Sequence, residues 1–127
     1  MGVTPDGRRA VSACDDWMLS VWDLETGQLS CTLQGHAGDV IAVAVTPDGR
    51  LAASGSEDYT LRLWDLENGE EIATFTGEGG MDNCSIAPDG RTIVAGESSG
   101  RVHFLRLVEA DKTQSSIGDT KIQILSA

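Results

Sequence analysis

Basic residues are scarce in this chain. Its 127 residues include 9 Lys+Arg against 20 Asp+Glu, a net charge of −11. It therefore lacks the clustered positive charge with which proteins grip nucleic acid. Cysteine is scarce too. Cys14, Cys31 and Cys84 are an odd number with no CxxC pair, so they form neither a disulfide framework nor a zinc pattern and fit a reducing, cytoplasmic setting. No apolar run approaches the roughly 18–20 residues that cross a membrane. Met1 to Arg9 carries an acid and a turn where a secretory signal would carry an apolar stretch. Helical periodicity over a useful length is also missing. What is present is a hydrophobic fraction of 40%, too high for a disordered chain, in a length that suits one domain. Composition thus points to an acidic, soluble, cytoplasmic protein without a membrane or nucleic-acid partner.

The chain repeats itself. Thr4-Pro5-Asp6-Gly7-Arg8 returns as Thr46-Pro47-Asp48-Gly49-Arg50 and again as Ala87-Pro88-Asp89-Gly90-Arg91, with the prolines 42 and then 41 residues apart. Val21-Trp22-Asp23-Leu24-Glu25-Thr26-Gly27-Gln28 returns as Leu63-Trp64-Asp65-Leu66-Glu67-Asn68-Gly69-Glu70, with its tryptophans also 42 apart. Two independent markers share one period. Within a period the segments are short and bounded by turns. Val40 to Val45 is a continuous apolar run, as in a strand covered on both faces. Pro47-Asp48-Gly49 is a tight turn, Leu51 to Ser54 a second strand, Thr60 to Asp65 a third. Asn68-Gly69 is a hairpin signal, after which Glu71 to Thr76 alternates as a fourth strand. A single four-stranded sheet has two large faces to cover, so copies must stack, and a ring removes the exposed ends.

The Gly35-His36 dipeptide, the Trp64-Asp65 dipeptide and the period near 42 resemble the WD-repeat β-propeller family across nearly all of residues 3–107. The resemblance implies an all-β fold of propeller blades, each of four antiparallel strands, about three blades' worth in all. Residues 1–33 would be a partial first blade, 34–66 a full Gly-His to Trp-Asp unit, and 76–107 a degenerate last unit. Residues 108–127 would form a tail with a candidate strand at 121–125. In that family a His, a Ser or Thr, an Asp and the Trp make a buried hydrogen-bonded chain in each blade. The matching residues are His36, Ser54, Asp58 and Trp64, with Ser12, Asp16 and Trp22 in the first copy. An indole N–H can only donate, while a hydroxyl both donates and accepts, so the set is chemically coherent. Ser54, His36 and Asp58 could also be read as a catalytic triad, but they recur with the repeat and no nucleophile elbow surrounds Ser54. In the third copy Gly77-Glu78 replaces Gly-His, and Ala95, Ser99 and Leu105 replace Ser, Asp and Trp, so the network is expected to be lost as a unit. Residues 96–107 look like the closing, C-terminal blade of bacterial WD-repeat chains, some of which serve a signalling NTPase or kinase module.

Propellers close with about 4–8 blades, so this chain is too short for a ring. It is either the C-terminal piece of a longer propeller, which a cut inside the first innermost strand favours, or a unit that closes its ring by self-association. By resemblance, partners sit on the face carrying the inter-blade loops. The matching positions are Asp15 and Trp17 in the first copy, Ala37, Asp39, Glu57 and Tyr59 in the second, and Asp82 and Glu97 in the third. Aromatics beside acids suit a basic peptide or protein partner, although a plain solvated surface would carry the same charges. His103 reads as a strand surface residue, and the three cysteines as small buried apolar groups. The expected function is a non-enzymatic protein-interaction scaffold or sensor, with no cofactor and no metal. The rival is a hydrolase-like enzyme working at the propeller end face, for which the wholly apolar Val40 to Val45 offers no acid, base or ligand.

Overall fold

The computed structural model describes residues 1–14, 16–109 and 120–126. The described residues are all-β, without a helix, and hence without one long and apolar enough to cross a membrane. Among the described residues twelve strands form three antiparallel sheets of four, each paired in sequence order. The first sheet holds β1 (Gly2–Val3), β2 (Arg9–Ala13), β3 (Leu19–Asp23) and β4 (Gln28–Leu33). The second holds β5 (Val40–Val45), β6 (Leu51–Ser56), β7 (Thr60–Asp65) and β8 (Glu70–Thr76). The third holds β9 (Met81–Ile86), β10 (Thr92–Glu97), β11 (Val102–Glu109) and β12 (Thr120–Ser126). These are propeller blades side by side in an arc that does not close.

The recurring turn strings explain the hairpins. In the second blade Thr46 Oγ1 donates to Asp48 Oδ1 (2.6 Å) and accepts from Leu51 N (3.1 Å), while Asp48 Oδ1 accepts from Arg50 N (3.0 Å). Gly49 follows at φ 74°, a backbone region where a side chain would be strained. Thr4 and Asp6 repeat this arrangement in the first blade. In the third blade Ala87 has no hydroxyl, and Asp89 instead binds Arg91 N, Thr92 N and Thr92 Oγ1. The Asp of each Trp-Asp dipeptide caps the next turn: Asp65 Oδ1 accepts from Glu67 N at 2.8 Å, and Asp23 Oδ1 from Glu25 N at 2.9 Å. A register shift sits beside Trp22, Trp64 and Leu105 alike, so the same bulge recurs in every blade.

Period-two alternation sends successive side chains to opposite faces of each sheet, and two apolar layers result. Val11, Leu19, Val21 and Leu33 of the first blade pack against Ala52, Trp64 and Leu66 of the second. Leu51, Ala53, Leu61 and Leu63 of the second pack against Met81, Ile93, Ala95, Leu105 and Leu107 of the third. Glycine is required at one point of this second layer. A Cβ on Gly55 would lie 2.7 Å from the Met81 carbonyl oxygen, so β6 and β9 meet closely only because that Cβ is missing.

The cut innermost strand of the first blade keeps two residues, Gly2 and Val3, paired to Val11 and Ala10. One expectation changes here. The run Val40 to Val45 is only half-buried, with Ile41 exposed, because β5 is the free edge of its sheet. β12 pairs with β11 and fills the outer position of the third blade.

Candidate functional site

The second blade brings His36, Ser54, Asp58 and Trp64 together. Trp64 Nε1 donates to Ser54 Oγ at 2.8 Å, and Ser54 Oγ lies 2.6 Å from His36 Nε2. His36 Nδ1 lies 3.0 Å from Asp58 Oδ2. The indole has no other role than donor, so the Ser54 hydroxyl accepts from it and passes its own hydrogen to His36 Nε2. The imidazole is then neutral, with its hydrogen on Nδ1, donating to Asp58. Every link thus runs in one direction, from indole to carboxylate. Asp58 also accepts from Ala37 N, Thr60 N and Thr60 Oγ1. Thr60 is a fifth member that the residue pattern did not reveal; its Oγ1 lies 3.1 Å from His36 Nδ1. The only advance signal was a Thr two residues after an Asp, which favours a local side-chain turn.

Burial sets the electrostatics. Removal from water pushes the His36 pKa below its ordinary value and outweighs the pull of Asp58. For Asp58 burial acts upward, but the bonds from Thr60, Ala37 and His36 outweigh it and hold the carboxyl well below the usual range. The Ser54 side chain is wholly buried and its oxygen is already engaged by an indole and an imidazole. A nucleophile needs access, and this hydroxyl is buried. The arrangement can brace the loop before β5 against β7.

The first blade keeps only part of the set. Trp22 Nε1 donates to Ser12 Oγ at 3.0 Å, but Asp16 is exposed and joined to neither. Asp16 and Trp17 both take φ 66°, whereas in the equivalent turn of the second blade Tyr59 is left-handed, at φ 74°, and Asp58 is not. No imidazole holds the first turn, and Met18 stands where Thr60 would hold the Asp.

The third blade departs from expectation. Ala95 and Leu105 do replace Ser and Trp, both fully buried. Yet the polar network is not simply lost. Glu97 and His103 are buried and paired through Oε2 and Nε2, and the Glu97 carboxylate also accepts from Ser99 Oγ and Glu78 N. His103 packs edge-on against Phe75, ring centroids 4.8 Å apart. The hydrogen bond from His103, first among several, holds the Glu97 carboxyl below its ordinary value. His103 is therefore no strand surface residue, and Glu97 is withdrawn from the exposed face, because the blade without a Ser–Trp pair uses an acid and a base of its own. Among the described residues no buried side-chain N or O atom lacks a partner.

Of the remaining face residues, Ala37, Asp39, Glu57, Trp17 and Tyr59 are exposed, Asp82 is half-buried, and Asp15 lies outside the described residues. Glu57 N donates to Asp39 O, and Ser98 N to Gly80 O, so in each of these two blades the entry loop is tied to the turn after its second strand. At the opposite end of the strands a shallow depression is lined by Arg8, Arg9, Asp23, Glu25 and Ser30, a mixture of both charges. Among the described residues no cluster of His, Cys, Asp or Glu could hold a metal ion. Cys14 is exposed, not buried; Cys31 and Cys84 are partly covered, and burial pushes the Cys84 thiol up to about 12.

Repeated four-stranded sheets braced by a buried histidine-to-indole chain define a class of propeller-type repeat protein. A family model described as "WD domain, G-beta repeat" matches residues 1–23 and 27–65. The match covers two repeats within the N-terminal half of the chain. No curated protein is significantly similar to the chain.

Proposed function

We propose that the chain is a non-enzymatic scaffold that holds a basic peptide or protein on the face carrying Trp17, Tyr59, Glu57, Asp39 and Asp82. One observation carries the reading. Trp17 and Tyr59, 49% and 50% exposed, occupy repeat-equivalent turns in the left-handed region, which suits glycine or asparagine better than an aromatic. An aromatic kept in water on strained backbone has a use at the surface, and rigid aromatics anchor interfaces. The neighbouring acids and a net charge of −11 favour a positively charged partner and speed its approach. The WD-repeat match and the burial of the brace support a binding role over catalysis. The resemblance of residues 96–107 to the closing blade of bacterial chains supports service to a signalling effector in the cytoplasm. The test is titration of the chain with Lys/Arg-rich peptides by calorimetry. Binding that weakens with salt, and is lost in Tyr59→Ala and Glu57→Lys proteins of unchanged fold, supports the proposal. Equal binding of acidic peptides, or none at all, refutes it.

A further inference from the structure

The turn between the second and third strands of each blade carries a left-handed residue at one equivalent position: Trp17 at φ 66°, Tyr59 at φ 74° and Gly100 at φ 93°. Glycine meets that backbone without strain, and the third blade uses it. The first and second blades place an aromatic ring there instead, and both rings are half-exposed. The rings stand on fixed backbone. Tyr59 N donates to Ser56 O at 3.3 Å, and Tyr59 O accepts from Gly77 N at 2.8 Å, so this turn is held from within and from the loop that enters the next blade. Cys14 N donates to Met18 O at 3.0 Å and closes the turn around Trp17. Anchors held in place before a partner arrives lose little freedom on binding.

Equivalent points on neighbouring blades are separated by the packing distance of the sheets. The first and second blades pack face to face, with Leu19 and Val21 against Ala52 and Trp64, and sheets packed this way lie about 10 Å apart. A polyproline-type segment turns once in three residues and rises ~3.1 Å per residue, so its side chains i and i+3 share one edge about 9 Å apart. A β-strand sends i and i+3 to opposite sides and would offer only ~7 or ~13 Å on one side. The two rings therefore match the polyproline-type repeat. A guanidinium or ammonium set over an indole or phenol ring gains about two- to fivefold in affinity at an exposed site. We infer that the basic partner docks as an extended polyproline-type segment across the seam between the first and second blades, with cationic side chains i and i+3 seated on Trp17 and Tyr59. This register rests on the scaffold role proposed above and adds to it the conformation and spacing that the face selects.

The experiment is calorimetric titration of the 127-residue chain with peptides of one composition. Each carries two arginines in a Pro/Ser background, and only their spacing changes, from i+1 to i+4. The i+3 peptide is expected to bind about two- to fivefold more tightly than the others. Citrulline, which keeps the shape of arginine without its charge, loses that advantage at either position. Trp17→Ala and Tyr59→Ala each erase the preference for i+3, whereas Trp17→Phe and Tyr59→Phe keep it, with unchanged strand content by circular dichroism. Trp17→Leu and Tyr59→Leu remove the ring but keep apolar bulk, and they erase the preference too if an alanine variant loses its fold. A flat response to spacing, an optimum other than i+3, or a preference that survives loss of either ring overturns the register while leaving basic-peptide binding in place. Failure of every arginine peptide to bind overturns the register and the scaffold proposal together.

Discussion

Replacing Ser54 by alanine isolates the brace from the rest of the blade. The substitution removes one oxygen and leaves two buried partners, the Trp64 indole N–H at 2.8 Å and His36 Nε2 at 2.6 Å, without a bond. Stranding a buried polar group costs about 1–3 kcal/mol, so two stranded groups cost ~2–6 kcal/mol. That is a large share of the roughly 5–15 kcal/mol by which domains are stable. The chain contains its own control. Ser12 is the equivalent residue and accepts from Trp22 Nε1 at 3.0 Å, but that indole is exposed. Water replaces the lost partner there, so Ser12→Ala costs only ~0.5–1.5 kcal/mol. Urea unfolding followed by tryptophan fluorescence measures both. Equal costs at the two positions, or a Ser54→Ala cost within a few tenths of a kcal/mol, would refute the claim that burial makes the brace matter.

Acid destabilises the fold in two stages. His36 has a lowered pKa, so the unfolded chain binds its proton first and stability falls as pH drops below about 6.5. Asp58, also lowered, adds a second loss below about 3.8. Urea midpoints across pH 3–8 record both, and His36→Gln removes the first stage. Gly55→Ala forces a Cβ toward the Met81 carbonyl, drawn at 2.7 Å, and costs about 1–3 kcal/mol in the same urea assay. A thiol reagent at neutral pH labels exposed Cys14 in the native protein and reaches Cys84 only on unfolding, since burial keeps that thiol protonated.

Most of the fold was legible because turn chemistry is local. The Pro-Asp-Gly strings and the Asn68-Gly69 signal mark hairpins without reference to anything distant, and each falls between two paired strands. The His36, Ser54, Asp58 and Trp64 set was legible because the repeat aligns it. What escaped lies where the repeat breaks down. Glu97 and His103 align with Ser56 and Arg62, so no comparison between copies would pair them; only the approach of β10 to β11 does. Asp16 aligns with Asp58 yet stays in water, because the imidazole and the Thr60 hydroxyl that hold Asp58 are missing from its blade. The half-burial of β5 follows from its place at the free edge of the sheet, which strand pairing sets and the six residues of the strand do not.

The account depends on a buried, structural indole in the middle blade and a wetter one at the end of the arc. Solvent exchange of the tryptophan indole hydrogens, followed by NMR, separates the two directly. Trp64 Nε1–H exchanges only when the domain unfolds, orders of magnitude more slowly than Trp22 Nε1–H. Equal, rapid exchange at both indoles would contradict the brace and the stacked blades together.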